Sequence, residues 1–522
     1  MVTVSEAWKD VQQRFLLPES FIEIECGITD DEAQSLAVAR GMNEAAFSSV
    51  SSVLNSFAPV TKYATLEHNL WSLDGSQTIL PASGTYNNAG YVSDNASGGR
   101  VELSFPAVRT SAISGVSITW SDSFNEYARV FSVIGKNGDQ IVSEVTVTDN
   151  KSKVSTVTAP MENYDSIVIP VHEWSLPNRR VRMEKLAIGL LLKFDKSDLL
   201  DFSHEQDGDL LSGKLPKYSI EFTLDNSDGK WDPNNPTGMA QYLSERQKLT
   251  VRYGLNVDGT TEWINAGTFY LSEWYAPPNG LEARFVARDV FDFLINEKYT
   301  LNKGRTLTGV TEPTLEEVIT DVLASVDLPD NFEYHLEGGM LSHYKPTIEE
   351  NAEYTCAEMI QMCANMACNY IRFDREGKMY IEDFIKPFPL MPIGYTITSA
   401  LSYAHPEVQL SKPLKNISVD YGDGTYVLEI SPTGETQTVS NPILRDLNYA
   451  EDIANGVKYV LESRRTVSGE YRADPRLDLY DIVAVESKYG VISPVLITNI
   501  RYNYNGYFRG TYTGKVVSFG EV

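Results

Sequence analysis

Cysteine and histidine are scarce, with four cysteines and six histidines in 522 residues. Four thiols cannot build a disulfide framework in a chain of this length. Cys356, Cys363 and Cys368 fall on one predicted helix, Cys26 is remote from them, and no histidine stands beside any of the three. That pattern does not match a zinc site. Those three are expected as buried thiols that hold no metal and form no disulfide. Long apolar runs are also lacking: the longest, Leu186 to Leu192, falls far short of the ~20 residues that span a bilayer. The stretch from Met1 to Phe15 has no apolar segment of the signal-peptide kind. The expectation is a chain made in the cytoplasm without a membrane anchor. Basic residues are outnumbered, 44 Lys and Arg against 71 Asp and Glu, for a formal net charge of −27. A surface this acidic repels polyanions and argues against a grip on the DNA backbone. It is compatible with a wall that DNA slides past.

The motifs of catalysis are mostly missing. There is no G-x-S-x-G elbow for a nucleophilic serine. His172-Glu173 and His204-Glu205 each begin an H-E-x-x-H, and neither has the second histidine. Gly208 to Lys214 copies a phosphate-binding loop, but Leu215 stands where a Mg²⁺-binding hydroxyl is needed, and Asp207 and Asp209 repel phosphate. The expectation there is a turn. Asp225 to Asp232 resembles a calcium loop without its terminal glutamate and reads better as a series of Asx turns. No catalytic, cofactor-binding or metal-binding residue is assigned, and no cofactor is expected.

What the chain does contain is β pattern. Length alone allows roughly three to five domains at ~100–150 residues each. Residues 1–58 begin with a weak polar helix, continue with an alternating strand at Phe21–Cys26, and end in a segment, 29–58, read as a linker or cover. Residues 59–193 carry six or more short strands separated by Gly/Asn/Asp/Ser breaks, the texture of a β-sandwich or jelly roll. A second β block spans 194–300, with Ile220, Phe222 and Leu224 on one strand face. Residues 301–385 turn to α/β: Thr314–Glu317 and Thr355–Glu358 are capping boxes that open amphipathic helices, and a hairpin follows over 370–382. Residues 386–522 return to β, interrupted by one helix. The fold class is mainly β with a small α/β domain. The 21–26 strand needs a sheet to pair with, and the 217–288 strands are the expected one, which would make 59–193 an insertion.

Aromatic residues in the 59–193 block admit two readings. Trp71, Tyr86, Tyr91 and Trp120 are candidates for stacking on a glycan, although such aromatics are more often core or interface positions.

Three stretches taken together resemble the hub proteins of phage tail tips. Lys217 to Pro233, with Gln247–Gly254 and Ala266–Leu271, is similar to their first barrel. Thr355–Ala364, closed by Phe373-Asp-Arg-Glu-Gly-Lys378, looks like their middle α/β domain. Tyr471 to Val483 resembles the motif that leads into their last barrel. Phe21–Asp31 followed by Tyr63–Gly75 is similar to members that carry a galactose-binding-like insertion.

The resemblance implies two hub β-barrels, 194–300 and 386–522, plus an inserted sandwich. It implies a homotrimer at the end of the tail tube, beneath a distal tail protein hexamer, in contact with the tape-measure protein and with tail fibres or receptor-binding proteins. The location would be the virion tail tip, in host attachment and genome delivery. The chain stops after the presumed last barrel strands, so a C-terminal lysin is not expected and the protein is read as a structural component rather than an enzyme. Asp201, Glu205, Asp207 and Asp209 are the candidates for lining the channel. Two other readings stand beside this one: a receptor-recognition protein that binds a host surface glycan through the sandwich, and a cell-wall hydrolase with an unrecognised acidic pair.

Overall fold

The computed structural model describes residues 1–14, 19–45, 48–54, 90–94, 98–121, 125–235, 238–277, 280–300, 307, 312–329, 332–348, 353–383 and 395–517. Two compact units divide the chain: residues 25–193 form one, and residues 1–24 with 194–522 form the other. The protein is mainly β with a small α/β part. Helix α1 (Glu6–Gln13) opens the larger unit, capped by Ser5, whose hydroxyl accepts from the Trp8 amide. Strand β1 (Ser20–Thr29) alternates buried and half-buried positions. Its first half lies beside the Lys248–Val257 strand of the larger unit, where Arg252 pairs with Glu23 at 2.6 Å.

In the smaller unit, α2 (Asp31–Leu36), β2 (Val38–Met42), β3 (Tyr91–Val92), β4 (Arg100–Arg109), β5 (Ile113–Thr119), β6 (Ala128–Asn137), β7 (Gln140–Val147), β8 (Val154–Met161), β9 (Tyr164–Trp174), β10 (Arg182–Met183) and β11 (Lys185–Phe194) follow in order. One sheet runs β2-β4-β9-β6-β7, and a second places β5 between β11 and β8. Side chains from both sheets, among them Leu103, Val116, Ile118, Phe131, Ile167 and Ile188, meet in one core. The 29–58 segment is more than the linker expected of it. Asp30 caps α2, β2 pairs with β4, and Ala33, Ala39 and Val53 enter the core. Its mixed composition hid this, because an edge strand of five residues shows little periodicity.

The larger unit continues with β12 (Leu199–Asp207), β13 (Lys217–Asp225), β14 (Lys248–Val257), β15 (Thr260–Tyr275), β16 (Glu282–Arg288), α3 (Phe291–Leu294) and β17 (Lys298–Tyr299). Next come α4 (Leu315–Leu323), β18 (Tyr334–Leu336), α5 (Gly339–His343), β19 (Tyr354–Thr355), α6 (Cys356–Met366), β20 (Asn369–Phe373) and β21 (Met379–Asp383). Both expected capping boxes form, at Thr314 with Glu317 and at Thr355 with Glu358. The last segment holds β22 (Thr396–Ile397), β23 (Glu407–Leu410), β24 (Leu414–Asp420), β25 (Thr425–Glu429), β26 (Glu435–Ser440), α7 (Leu447–Leu461), β27 (Arg465–Arg472), β28 (Ile482–Glu486), β29 (Ile492–Tyr504) and β30 (Phe508–Val516).

The packing does not divide at 385/386 as the sequence texture suggested. Ile417, Val419, Ile443, Ile453 and Val457 share one core with Val318, Ile319, Met359, Ile360 and Cys363. The β24–β26 sheet and α7 therefore belong with α4 and α6. With them set aside, the two β blocks have the same strand order. The first reads β12-β13-β16-β15-β14-β1, and the last reads β23-β27-β30-β29-β28-β22. In each, a three-strand meander is closed by the strand preceding it in the block.

Candidate functional site

The two blocks join edge to edge. Strand β12 pairs antiparallel with β13 on one side and with β29 on the other, from Phe202 opposite Tyr504 to Asp207 opposite Asn499. Alternation then sorts the side chains. Phe202, His204 and Gln206 are buried, while Asp201 is exposed and Glu205 and Asp207 half-buried.

The likeness of the blocks extends to single residues on either side of this joint. Arg246 and Tyr480, each ahead of the first meander strand, both have left-handed backbones, with φ of 63° and 67°. The Arg246 amide donates to the Leu271 carbonyl at 2.7 Å, and the Tyr480 amide donates to the Ile497 carbonyl at 2.9 Å. One residue beyond each acceptor the register slips by one, at Ser272 in β15 and at Thr498 in β29. A bulge re-aims the strand that carries it, so the two long strands leave their meanders in the same way.

A buried polar cluster pins this arrangement. The turn between β20 and β21 carries Arg375, whose guanidinium reaches both blocks. Its Nε donates to Asp478 Oδ1 at 3.0 Å, Nη1 to the Asn265 carbonyl at 2.7 Å, and Nη2 to the Pro475 carbonyl at 2.7 Å. Asn265 sits where β14 and β15 slip register. Beneath lies His204, with Nδ1 2.7 Å from the Tyr253 hydroxyl. Burial, reinforced by the positive charge of Arg375, pushes the His204 pKa down to about 3, so the ring is neutral. Of the stretches that carried the resemblance, Phe373–Lys378 and Tyr471–Val483 meet here through Arg375 and Asp478. Sequence spacing gave no sign of this, since the two are 103 residues apart.

The four channel candidates divide. Asp201, Glu205 and Asp207 share one face of β12, and Asp209 lies beyond its end, accepting from the Leu211 amide at 2.9 Å. The neighbourhood is not uniformly acidic. Lys217 pairs with Glu205 at 2.8 Å, Lys214 with Asp207 at 2.5 Å, Arg288 with Glu273 at 3.2 Å and Arg509 with Glu470 at 2.7 Å. The outcome is a polar sheet face carrying both signs.

The glycan candidates do not form a site among the described residues. Trp71 and Tyr86 lie outside those residues. Tyr91 is fully buried, its hydroxyl donating to the Met42 carbonyl at 2.5 Å. Trp120 is also fully buried. It stacks edge-on against Phe131 and Trp174, with its indole nitrogen donating to Ser155 Oγ at 2.8 Å. Neither can stack on a sugar, and both are corrected to core residues. Packing a large ring between the sheets satisfies its apolar body and its one polar atom together.

The other motifs resolve into structure. The Gly208–Lys214 loop docks on the α/β part. Ser212 Oγ donates to the Asn369 carbonyl at 2.8 Å, Gln361 donates to the Gly213 carbonyl at 2.9 Å, and Asn365 donates to the Leu211 carbonyl at 2.8 Å. The same loop edges a cleft of about 640 Å³ shared with α6, β26 and α7. In the calcium-like loop, the amides of Ser227 and Lys230 are taken by Asp225 and Asp228 at 3.0 and 3.1 Å, which is Asx-turn geometry. All four cysteines are buried, and none forms a disulfide. Among the described residues no cluster of His, Cys, Asp or Glu is arranged to hold a metal, and no helix is long and apolar enough to cross a membrane.

A scan against protein families and a search of curated proteins each match nothing. Among solved structures, the chain is similar to a tail protein from Neisseria meningitidis, at 12% identity and a TM-score of 0.44, over 63% of this chain and 94% of that one. It is also similar to a prophage tail protein from Shewanella oneidensis, at 12% identity and a TM-score of 0.41, over 62% and 95% of the two chains. A prophage tail protein from Listeria monocytogenes matches at 11% identity and a TM-score of 0.40, over 62% and 91%.

Proposed function

We propose that this chain is a structural component of a phage tail tip, a baseplate hub that assembles as a homotrimer at the end of the tail tube. The observation that carries the reading is the duplication of the two β blocks: the same strand order, the same left-handed residue ahead of the meander and the same bulge beyond it. A chain with two near-equivalent blocks lets three copies present six near-equivalent positions. That is what is needed to match a threefold component to a hexameric tail ring.

In this reading the outer face of β12, with Asp201, Glu205, Asp207 and their basic neighbours, lines the passage taken by tape-measure protein and DNA. A face of mixed charge with its ions already paired offers a passing polyanion little to hold. The 25–193 unit is then an accessory on the hub, and tail fibres or receptor-binding proteins attach at its periphery. The role is mechanical, in host attachment and genome delivery, rather than catalytic. Imaging of particles carrying a tag on this chain tests it. Three copies in a ring at the tail tip are expected, and one copy or six per tail would overturn the hub reading.

A further inference from the structure

Among the described residues, the duplication leaves two strand edges without the partner that their counterparts have. Within the chain, β12 of the first block seals against β29 of the last. By strand order, β23 holds the place of β12 and β15 holds the place of β29. Beyond its bulge, β29 carries β30 on one side and β12 on the other. Beyond its own bulge, from Glu273 to Tyr275, β15 carries β16 on one side and, among the described residues, no strand on the other. Strand β23 pairs with β27 and ends the sheet order there. Such edges present unpaired amides and carbonyls and are templates for another strand.

The side chains fit this picture. His204 and Gln206 on β12 are buried, at 1% and 3% exposure. Their counterparts on β23 are Val408 and Leu410, which are 54% and 64% exposed. Apolar residues at positions that the duplicate strand buries mark a surface awaiting its cover.

We infer that β23 of one copy pairs antiparallel with the free edge of β15, Glu273 to Tyr275, and with Ala276 just beyond it, in a second copy of this chain, repeating between copies the β12–β29 joint made within each. The register follows from the duplication. Within the chain Glu205 faces Arg501 and Gln206 faces Ile500. Carried across, Gln409 faces Tyr275, Leu410 faces Trp274 and Val408 faces Ala276. Pro277, which has no amide to donate, limits the joint to about four residues. The two edges are different surfaces of one chain, so the contact is head-to-tail and repeats from copy to copy until a ring closes. Closure at three copies rests on the hub reading above; the pairing itself does not.

The full chain carrying Gln409→Cys and Tyr275→Cys tests the inference under mild oxidation, with the native thiols buried. Disulfide-linked trimers are expected on non-reducing gels. A mixture of the two single variants should stop at dimers. Gln409→Cys with Glu273→Cys, displaced by two residues or ~7 Å along the strand, should link several-fold less. Leu410→Lys should leave the circular dichroism spectrum unchanged and weaken assembly measured by native mass spectrometry. Trimers that link in no register would overturn the strand pairing and leave the hub reading standing. Linked chains of open-ended length would support the pairing and sink the threefold hub. A chain that stays monomeric and unlinked up to its solubility limit would overturn both.

Discussion

Arg375 and Asp478 form an ion pair, Nη2 to Oδ1 at 2.9 Å, with the guanidinium buried and the carboxylate half-buried, between a turn of the α/β part and the loop that leads into the meander of the last β block. The arginine also holds carbonyls from both blocks, so three segments share one guanidinium. Its planar fork of donors is what makes this sharing possible. Arg375→Ala is expected to cost about 2–4 kcal/mol, because it leaves the half-buried Asp478 carboxylate and the Asn265 and Pro475 carbonyls without their donor. Arg375→Lys should recover only part of that, since one ammonium cannot reach Asp478 and the carbonyls of both blocks. Urea denaturation measures both, and an Ala variant within ~1 kcal/mol of the parent would show that the junction holds without the pair.

The paired left-handed residues give a contrast between the two blocks. Left-handed backbone costs a side-chain-bearing residue about 1–2 kcal/mol, which glycine does not incur. Arg246 is exposed, with its guanidinium 4.7 Å from the Phe293 ring centroid, so Arg246→Gly trades a cation–π contact for relieved strain. The net change should be within about 1 kcal/mol. Tyr480 is buried, with its ring 4.8 Å from that of Tyr370. Tyr480→Gly is expected to destabilise by about 2–4 kcal/mol, as the lost packing outweighs the relief. Equal effects at the two sites in thermal or chemical unfolding would contradict this account.

Two buried groups set opposite limbs of the stability profile. The His204 pKa is lowered from 6.5 to about 3, first by burial and then by Arg375. The stability it contributes is present above pH ~6.5 and is lost as pH falls from there toward 3. The Asp289 pKa is raised from 3.8 to about 7, chiefly by burial. Its contribution is full below pH ~3.8 and is lost as pH rises through about 7. His204→Gln should flatten the acid limb and Asp289→Asn the alkaline one, read from urea midpoints between pH 4 and 8. A His204→Gln variant with the parent's full acid sensitivity would assign that limb to other groups.

The thiols should be inert in the folded protein. Burial pushes Cys26 and Cys368 up to about 12 and raises Cys363 as well, which removes the thiolate that reagents attack. A disulfide-exchange reagent is expected to label none of the four at pH 8 and all of them in denaturant. Labelling of Cys356 or Cys363 in the folded protein would mean that α6 opens.

The sequence by itself determined the local features. Alternation marked β1, because a strand with one covered face must repeat every two residues. The boxes at Thr314 and Thr355 marked α4 and α6, because a helix start is satisfied by residues three apart. The mainly β texture and the small α/β part followed from the same short-range rules. What only tertiary structure decided was which elements meet. The equivalence of Arg246 and Tyr480 is invisible in the residues, since it lies in a backbone angle and a bond to a strand 17 or 25 residues on. Tyr91 and Trp120 carry the same chemistry on a surface as in a core, and only the closing of two sheets buried them. Glu205 and Asp207 read as bare acid until Lys217 and Lys214 came round to pair with them. The joint of β12 with β29 brings together residues almost 300 positions apart, and no local pattern encodes a partner at that distance.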